Sequence, residues 1–238
     1  MTVAEPVYGK VMVIVAHPDD AEFGVAGTAG KWSRVGTQFV YVICTDGSKG
    51  TDDPELTPDI LVPLRQKEQR AAAAVLGVHE VVFLGHEDGT LYPTLELRRD
   101  ISRQIRIHQP DVVFCPDPTT RYSRGEYINH PDHRAAGEAA LNAVFPDARN
   151  RWMYPELLAE GLPPFAVREV YLMQSLAPTV WVDIGDTIDL KLRALAEHKS
   201  QVDATQPGAA DMVRGWARLN AEGQSMTYAE VFKRIVLR

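Results

Sequence analysis

Four short apolar runs, each rich in valine, isoleucine or phenylalanine and each followed by a stretch of different character, constrain this chain more than any other feature. They are Lys10–Ala16 (KVMVIVA), Gln38–Cys44 (QFVYVIC), Glu80–Leu84 (EVVFL) and Asp111–Cys115 (DVVFC). A continuous β-branched run without polar alternation suits a strand covered on both faces. Between the runs lie helical stretches at Glu22–Val35, Ile60–Leu76 and Leu95–His108, the second stopping at Leu76-Gly77 as helices commonly do. Strand and helix in alternation imply right-handed crossovers and a mainly parallel sheet. The predicted fold class is α/β, Rossmann-like and doubly wound, with a C-terminal extension.

The rest of the sequence is less regular. A helix is predicted from Pro131 to about Val144, and the proline-rich Arg149–Ala166 reads as a loop. Strands near Arg168–Met173 and Thr179–Val182 precede helices near Thr187–His198 and Ala209–Asn220, and a final apolar segment covers Val231–Leu237. The 238 residues are read as a single domain, 1–238, with a core of about 10–201 and an extension of 202–238.

Charge narrows the partners. A net charge of −7 counts against nucleic acid, which needs a basic surface, and against an anionic membrane surface. Met1–Lys10 has no apolar signal core, and Val11–Ala16 is far shorter than the roughly 20 residues of a membrane span. Cys44 and Cys115 each end a buried run and read as reduced core thiols, so a cytoplasmic location is expected. The expected partner is a small molecule. Oligomeric state is left open, a homo-oligomer included.

In a doubly wound sheet, ligands gather at the carboxyl ends of the strands. The segments just past the four runs therefore make up the candidate site: His17-Pro18-Asp19-Asp20; Thr45-Asp46-Gly47-Ser48; Gly85-His86-Glu87-Asp88-Gly89; and, beyond Pro116-Asp117, Asn129-His130-Pro131-Asp132-His133. Of the seven histidines, His79 and His108 precede strands and belong to the opposite rim, while His198 reads as a helix-end residue suited to the dipole. His17, Asp19, Asp20, His130 and His133 form two clusters on one rim. Imidazole and carboxylate are good zinc ligands, and a catalytic zinc site takes three of them. Two groups are then left over for acid–base work, the equipment of metal-assisted hydrolysis. A structural site would more commonly use four ligands including cysteine.

These motifs resemble the PIG-L/LmbE-like deacetylase superfamily. Ala16-His17-Pro18-Asp19-Asp20-Ala21-Glu22-Phe23-Gly24, with Gly27-Thr28, is similar to its first signature, and Asn129-His130-Pro131-Asp132-His133-Arg134 to its second. Thr45-Asp46-Gly47, Arg65-x-x-Glu68, Leu84-Gly85 with Asp88-Gly89, and the segment ending His198-x-Ser200-Gln201 match in order, so the resemblance covers roughly Lys10–Gln201. It implies Zn2+ held by His17, Asp20 and His133. It implies Asp19 as the general base, and His130 as the group that stabilises the tetrahedral intermediate or protonates the leaving amine. It also implies sugar contacts by Arg65 and Asp88. Asp132 is the adjacent carboxylate that could favour a charged His130. The expected reaction is removal of an N-acetyl group from an amino-sugar-type small molecule or conjugate.

Two departures count against a mycothiol-type substrate: Ile128 where some relatives have tyrosine, and Ser48 where some have glutamate. The alternatives are a metal-dependent hydratase or lyase of the same superfamily and a non-catalytic metal-containing binding module. Asp19 argues against the second, since a binding site needs no spare base. A dinucleotide enzyme is disfavoured because no G-x-G-x-x-G follows the first strand.

Overall fold

The structure, a computed structural model, describes residues 7–123, 127–202 and 208–238; most of the segment read for a signal peptide lies outside them. Its strands are β1 (Lys10–Val15), β2 (Gln38–Thr45), β3 (Glu80–His86), β4 (Val112–Pro116), β5 (Tyr122–Ser123), β6 (Tyr127–Ile128), β7 (Glu169–Met173), β8 (Val180–Asp183) and β9 (Ala229–Val236). Its helices are α1 (Asp20–Ser33), α2 (Pro58–Leu76), α3 (Leu95–His108), α4 (Pro131–Asn142), α5 (Pro155–Ala159), α6 (Ile188–Leu195) and α7 (Ala209–Asn220). A π-helical turn, Ala143–Asp147, follows α4.

The main sheet has the order β3-β2-β1-β4-β7-β9-β8. The pairs from β3 through β7 are parallel, and β9 runs antiparallel to both β7 and β8. This is the α/β, mainly parallel sheet expected from the sequence. β1 shows why its run has no polar alternation. Val11, Val13 and Val15 pack with Trp32, Leu76 and Ile188 on the side of α1, α2 and α6, while Met12 and Ile14 pack with Ile101, Ile105 and Ala136 on the side of α3 and α4. Successive side chains of a strand point to opposite faces, and here both faces are covered by helices.

Several boundaries differ from the sequence reading. Arg149–Ala166 is not all loop, since Pro155 opens the five-residue helix α5. α4 gives way to the π-helical turn at Ala143, before Val144. β3 runs on to His86, two residues past the expected end. The segment read as an extension supplies β9, which sits between β7 and β8.

β9 also reaches the opposite layer. Glu230, buried, accepts from the backbone N–H groups of Gly27 (2.9 Å) and Thr28 (2.8 Å) in α1 and pairs with Lys191 Nζ (2.7 Å) of α6. Lys191 also donates to the Phe23 carbonyl at 2.7 Å. Thus α1, whose first turn belongs to the candidate site, is bolted to the last strand. α4 is placed as tightly: a Cβ on Gly137 would stand 2.2 Å from the Pro116 carbonyl oxygen, so only glycine lets this helix lie on the end of β4.

The strand order reverses between β1 and β4. From β1 the chain winds through β2 to β3, then α3 carries it across to the other side of β1. Such a switch point opens a crevice at the strand ends. The two His/Asp clusters follow β1 and β4, one on each side of it.

Candidate active site

His17 lies just beyond β1 and Asp20 opens α1. Asp20 Oδ2 accepts from the His17 backbone N–H at 2.9 Å and stands 3.4 Å from His17 Nδ1. Asp20 Oδ1 lies 3.0 Å from Nε2 of His133, which α4 brings in from the far side of the switch point. One ligand atom each from His17, Asp20 and His133 falls within 4.8 Å of the others. Ligand atoms about 2.0–2.2 Å from a tetrahedral ion stand roughly 3.4 Å apart, so this triad fits a divalent cation. His17, His130 and Asp132 converge as closely, but both Asp132 oxygens are already engaged: Oδ2 accepts from Gly89 N–H (2.7 Å) and Oδ1 from Leu91 N–H (3.2 Å). The first triad keeps its ligand atoms turned toward one another.

The ligand rings are oriented from behind. Asn129 Nδ2 donates to the Thr120 carbonyl at 2.8 Å, which turns Asn129 Oδ1 to His133 Nδ1 at 3.0 Å. A carbonyl oxygen only accepts, so Nδ1 carries the proton and Nε2 keeps its lone pair for a cation. His17 Nε2 faces Asp88 Oδ1 at 3.1 Å and Asp132 Oδ2 at 3.4 Å, leaving Nδ1 toward Asp20. Asn129 and Asp132 belong to the second motif, yet the linear reading assigns Asn129 no role and sets Asp132 beside His130. The one available signal is spacing, since Asn129 is one helical turn before His133. Asn129→Ala should lower metal affinity about 10–100-fold. Competition with a chelator measures it, and an unchanged affinity would show that His133 is oriented by its packing alone.

The electrostatics follow from crowding carboxylates around imidazoles. Burial would pull His17 down, but hydrogen bonds with Asp132, Asp20 and Asp88 override it and push its pKa up to about 12. Burial would raise Asp20, but His133 and His17 hold it well below the usual carboxylate range. Asp88 is held at about 2 by His17 and by the Lys49 backbone N–H, against its own burial.

Asp19 behaves differently. Its φ of 97° lies in the left-handed region, and its carboxylate makes no capping bond to α1. Instead Oδ2 faces Arg65 at 3.3 Å. Burial, then the neighbouring charge of Asp20, push its pKa up to about 7, while Arg65, His198 and His17 pull the other way. A carboxyl poised there is suited to accept a proton at neutral pH.

His130 caps α4: its Nδ1 accepts from the Asp132 backbone N–H at 3.2 Å. That bond puts the ring proton of the neutral form on Nε2. Burial, then the positive charge of His17, lower its pKa, and the opposing pull of Asp132 does not offset them. The Asp132 carboxylate is spent on His17 and two backbone amides, so the expectation of a charged His130 is corrected to a neutral ring that donates from Nε2.

The residues expected to touch a sugar are turned to protein partners. Arg65, 3% exposed, donates to the carbonyls of Gly47 and Pro18, each at 2.8 Å, and its Nε has no hydrogen-bond partner. Asp88 Oδ2 accepts from the Lys49 backbone N–H at 2.9 Å. His86 lies on the rim but pairs with Asp100 at 3.2 Å, outside the cluster. His198 is no helix-end ornament: it is fully buried, with Nε2 3.1 Å from Glu22. A groove of about 530 Å³ adjoins the site through Gly89 and Asp132 and is lined further by Tyr92, Arg121, Arg134 and Glu138.

Three side chains that fit a divalent cation, with a carboxylate to spare, set at the switch point of an α/β sheet, suit metal-assisted hydrolysis. Residues 12–144 match the family model of PIG-L, GlcNAc-PI de-N-acetylase. The chain is 37% identical to the diacetylchitobiose deacetylase of Thermococcus kodakarensis over 81% of its own length and 70% of the relative's. The chain belongs to the PIG-L family. Its fold matches the solved N,N′-diacetylchitobiose deacetylase of Pyrococcus horikoshii with a TM-score of 0.89 at 34% identity, covering 96% of this chain and 84% of that one. It also matches the 4-carboxy-2-hydroxymuconate hydratase of Pseudomonas putida KT2440, TM-score 0.78 at 19% identity over 96% and 97% of the two chains, a likeness of fold alone. Among the described residues no helix is long and apolar enough to cross a membrane.

Proposed function

We propose that this protein is a zinc-dependent hydrolase that removes the acetyl group from the nitrogen of an amino sugar or its conjugate. The observation that carries the reading is Asp19: a carboxyl adjacent in sequence to Asp20 of the triad yet outside it, its Oδ2 turned to Arg65 at 3.3 Å. His17, Asp20 and His133 would hold the zinc. When bound, it supplies Lewis acidity to the attacking water and to the acyl oxygen.

The chain's own groups do the rest. Asp19 takes a proton from the water as its oxygen attacks the acetyl carbonyl carbon. His130, neutral and carrying its proton on Nε2, donates a hydrogen bond to the carbonyl oxygen as negative charge develops on it. The carbon–nitrogen bond breaks, and the proton held by Asp19 passes to the departing nitrogen. The products are acetate and a free amine. Asp88 is retained as a sugar-hydroxyl contact, through carboxylate lone pairs that its two partners do not fill. Arg65, buried and turned to the Gly47 and Pro18 carbonyls and to Asp19, is read instead as a support for the Asp19 carboxylate.

The diacetylchitobiose deacetylases support this reading, with identities of 37% and 34%. The hydratase supports no rival assignment, because a shared fold does not fix chemistry. Acetate release from N,N′-diacetylchitobiose and N-acetylglucosamine, with zinc added, is the test. Acetate and a new primary amine in equal amounts are expected. Zinc-dependent hydration of an unsaturated acid, with no acetate from any N-acetyl sugar, would replace this reading with the hydratase one.

A further inference from the structure

Three residues find no use in the chemistry above: Glu22 in the first motif, Gln69 in α2 and His198 in the last motif. The structure brings them together behind Asp19. Gln69, fully buried in α2, accepts the Asp19 backbone N–H on Oε1 at 2.9 Å. Its Nε2 faces both oxygens of Glu22 at 3.0 and 3.1 Å. Glu22 in turn meets His198 Nε2 at 3.1 Å, and all three side chains have zero exposure.

The chemistry of these groups allows one arrangement. A carboxylate accepts and cannot donate, so the amide nitrogen of Gln69 must face Glu22. Its oxygen is thereby aimed at Asp19. The hydrogen bond falls where the backbone needs it. Asp19 has φ 97° and ψ −28°, a left-handed conformation that a non-glycine residue keeps only when the surroundings enforce it. This conformation sends the Asp19 N–H inward to Gln69 and leaves its carboxylate beside Arg65 and the ligand triad. In a usual helix cap the side chain would fold back onto α1.

We propose that Gln69 is a positioning residue for this reaction, oriented by Glu22 and His198, and that it aims the Asp19 carboxylate by pinning the Asp19 amide. The inference rests on the reading of Asp19 as base. Nothing in it requires contact between Gln69 and substrate or metal.

The test uses the zinc-loaded full chain with N,N′-diacetylchitobiose. Gln69→Met keeps the volume and removes both hydrogen bonds. Loss of aim of about 1 Å costs roughly 10²-fold, so kcat should fall by about that factor with KM and zinc affinity held. Gln69→Glu alone sets two carboxylates face to face and should be as damaging. The double variant Glu22→Gln with Gln69→Glu restores the donor–acceptor order along the chain and should recover most of the lost rate. A purely structural role would instead move melting temperature and zinc affinity in step with kcat. A readout without turnover is hydrogen exchange of the Asp19 amide in the metal-free protein, slow in the wild type and fast in Gln69→Met. If Gln69→Met fails to fold, the double variant carries the decision, recovery supporting the role and an inactive, folded protein overturning it. Unchanged kcat in Gln69→Met, or zinc lost in step with rate, also overturns it. Asp19→Asn in parallel separates the two readings. If that variant stays active, the base assignment falls; if it is inactive while Gln69→Met is not, only the present inference falls.

Discussion

Asp19→Asn should lose about 10²–10⁴-fold in kcat, the usual cost of removing a general base, while keeping its fold and its zinc. Asparagine is the right replacement because it tolerates positive φ better than most residues, so the backbone at 97° is preserved and only the base is removed. Alanine would add strain and blur the result. Retention of zinc follows from geometry: the contacts that assemble the triad run among His17, Asp20 and His133, and the Asp19 carboxylate contacts Arg65 instead. The experiment pairs acetate-release kinetics with elemental analysis of the same sample. Near-normal turnover would reduce Asp19 to a neighbour of the site. Zinc loss in proportion to rate would make it a ligand and exchange its role with Asp20.

The second large effect is of pH on metal affinity. In the metal-free protein His17 is protonated well above neutrality, its pKa pushed up to about 12 by Asp132, Asp20 and Asp88 against the pull of burial. A cation can use Nδ1 only after displacing that proton. Binding must therefore release a proton, and affinity should rise about tenfold for each pH unit between 7 and 9. Below about 7 the slope should steepen, because Asp19 is then protonated in the metal-free state and a nearby cation favours its ionised form. Calorimetric titration of zinc in two buffers of different ionisation enthalpy counts the protons. About one at pH 8.5, rising toward two at pH 6, is expected. A count near zero at pH 8.5 would mean that the surrounding carboxylates do not hold a proton on His17.

How much of this is legible in the sequence depends on range. β1, β2 and β4 are readable because burial on both faces forces an unbroken apolar run. α3 is readable to the residue because Thr94 caps it, accepting from Leu97 N–H, and Gln109 ends it in a left-handed turn. The meeting of the two His/Asp clusters on one rim is readable because both lie in short motifs that follow strands, whereas which three of their members would hold a cation follows only from the family resemblance. The groups behind the triad are not. Gln69 sits in α2 just before an alanine run, and nothing in the linear order marks a glutamine as buried. Glu22 reads as an ordinary first-turn acid of α1, and its partners lie 47 and 176 positions away. The antiparallel β9 shows in the sequence as an apolar segment, but its place between two earlier strands is a non-local pairing that periodicity does not encode.

That place has a consequence for how the protein comes into being. Synthesis proceeds from the N-terminal end, so His17, Asp20 and His133 all emerge before Ala229. A nascent chain thus carries these three residues while the Glu230 bolt on α1 is still missing. The helix that presents Asp19 and Asp20 therefore gains its last anchor only when the final strand is in place.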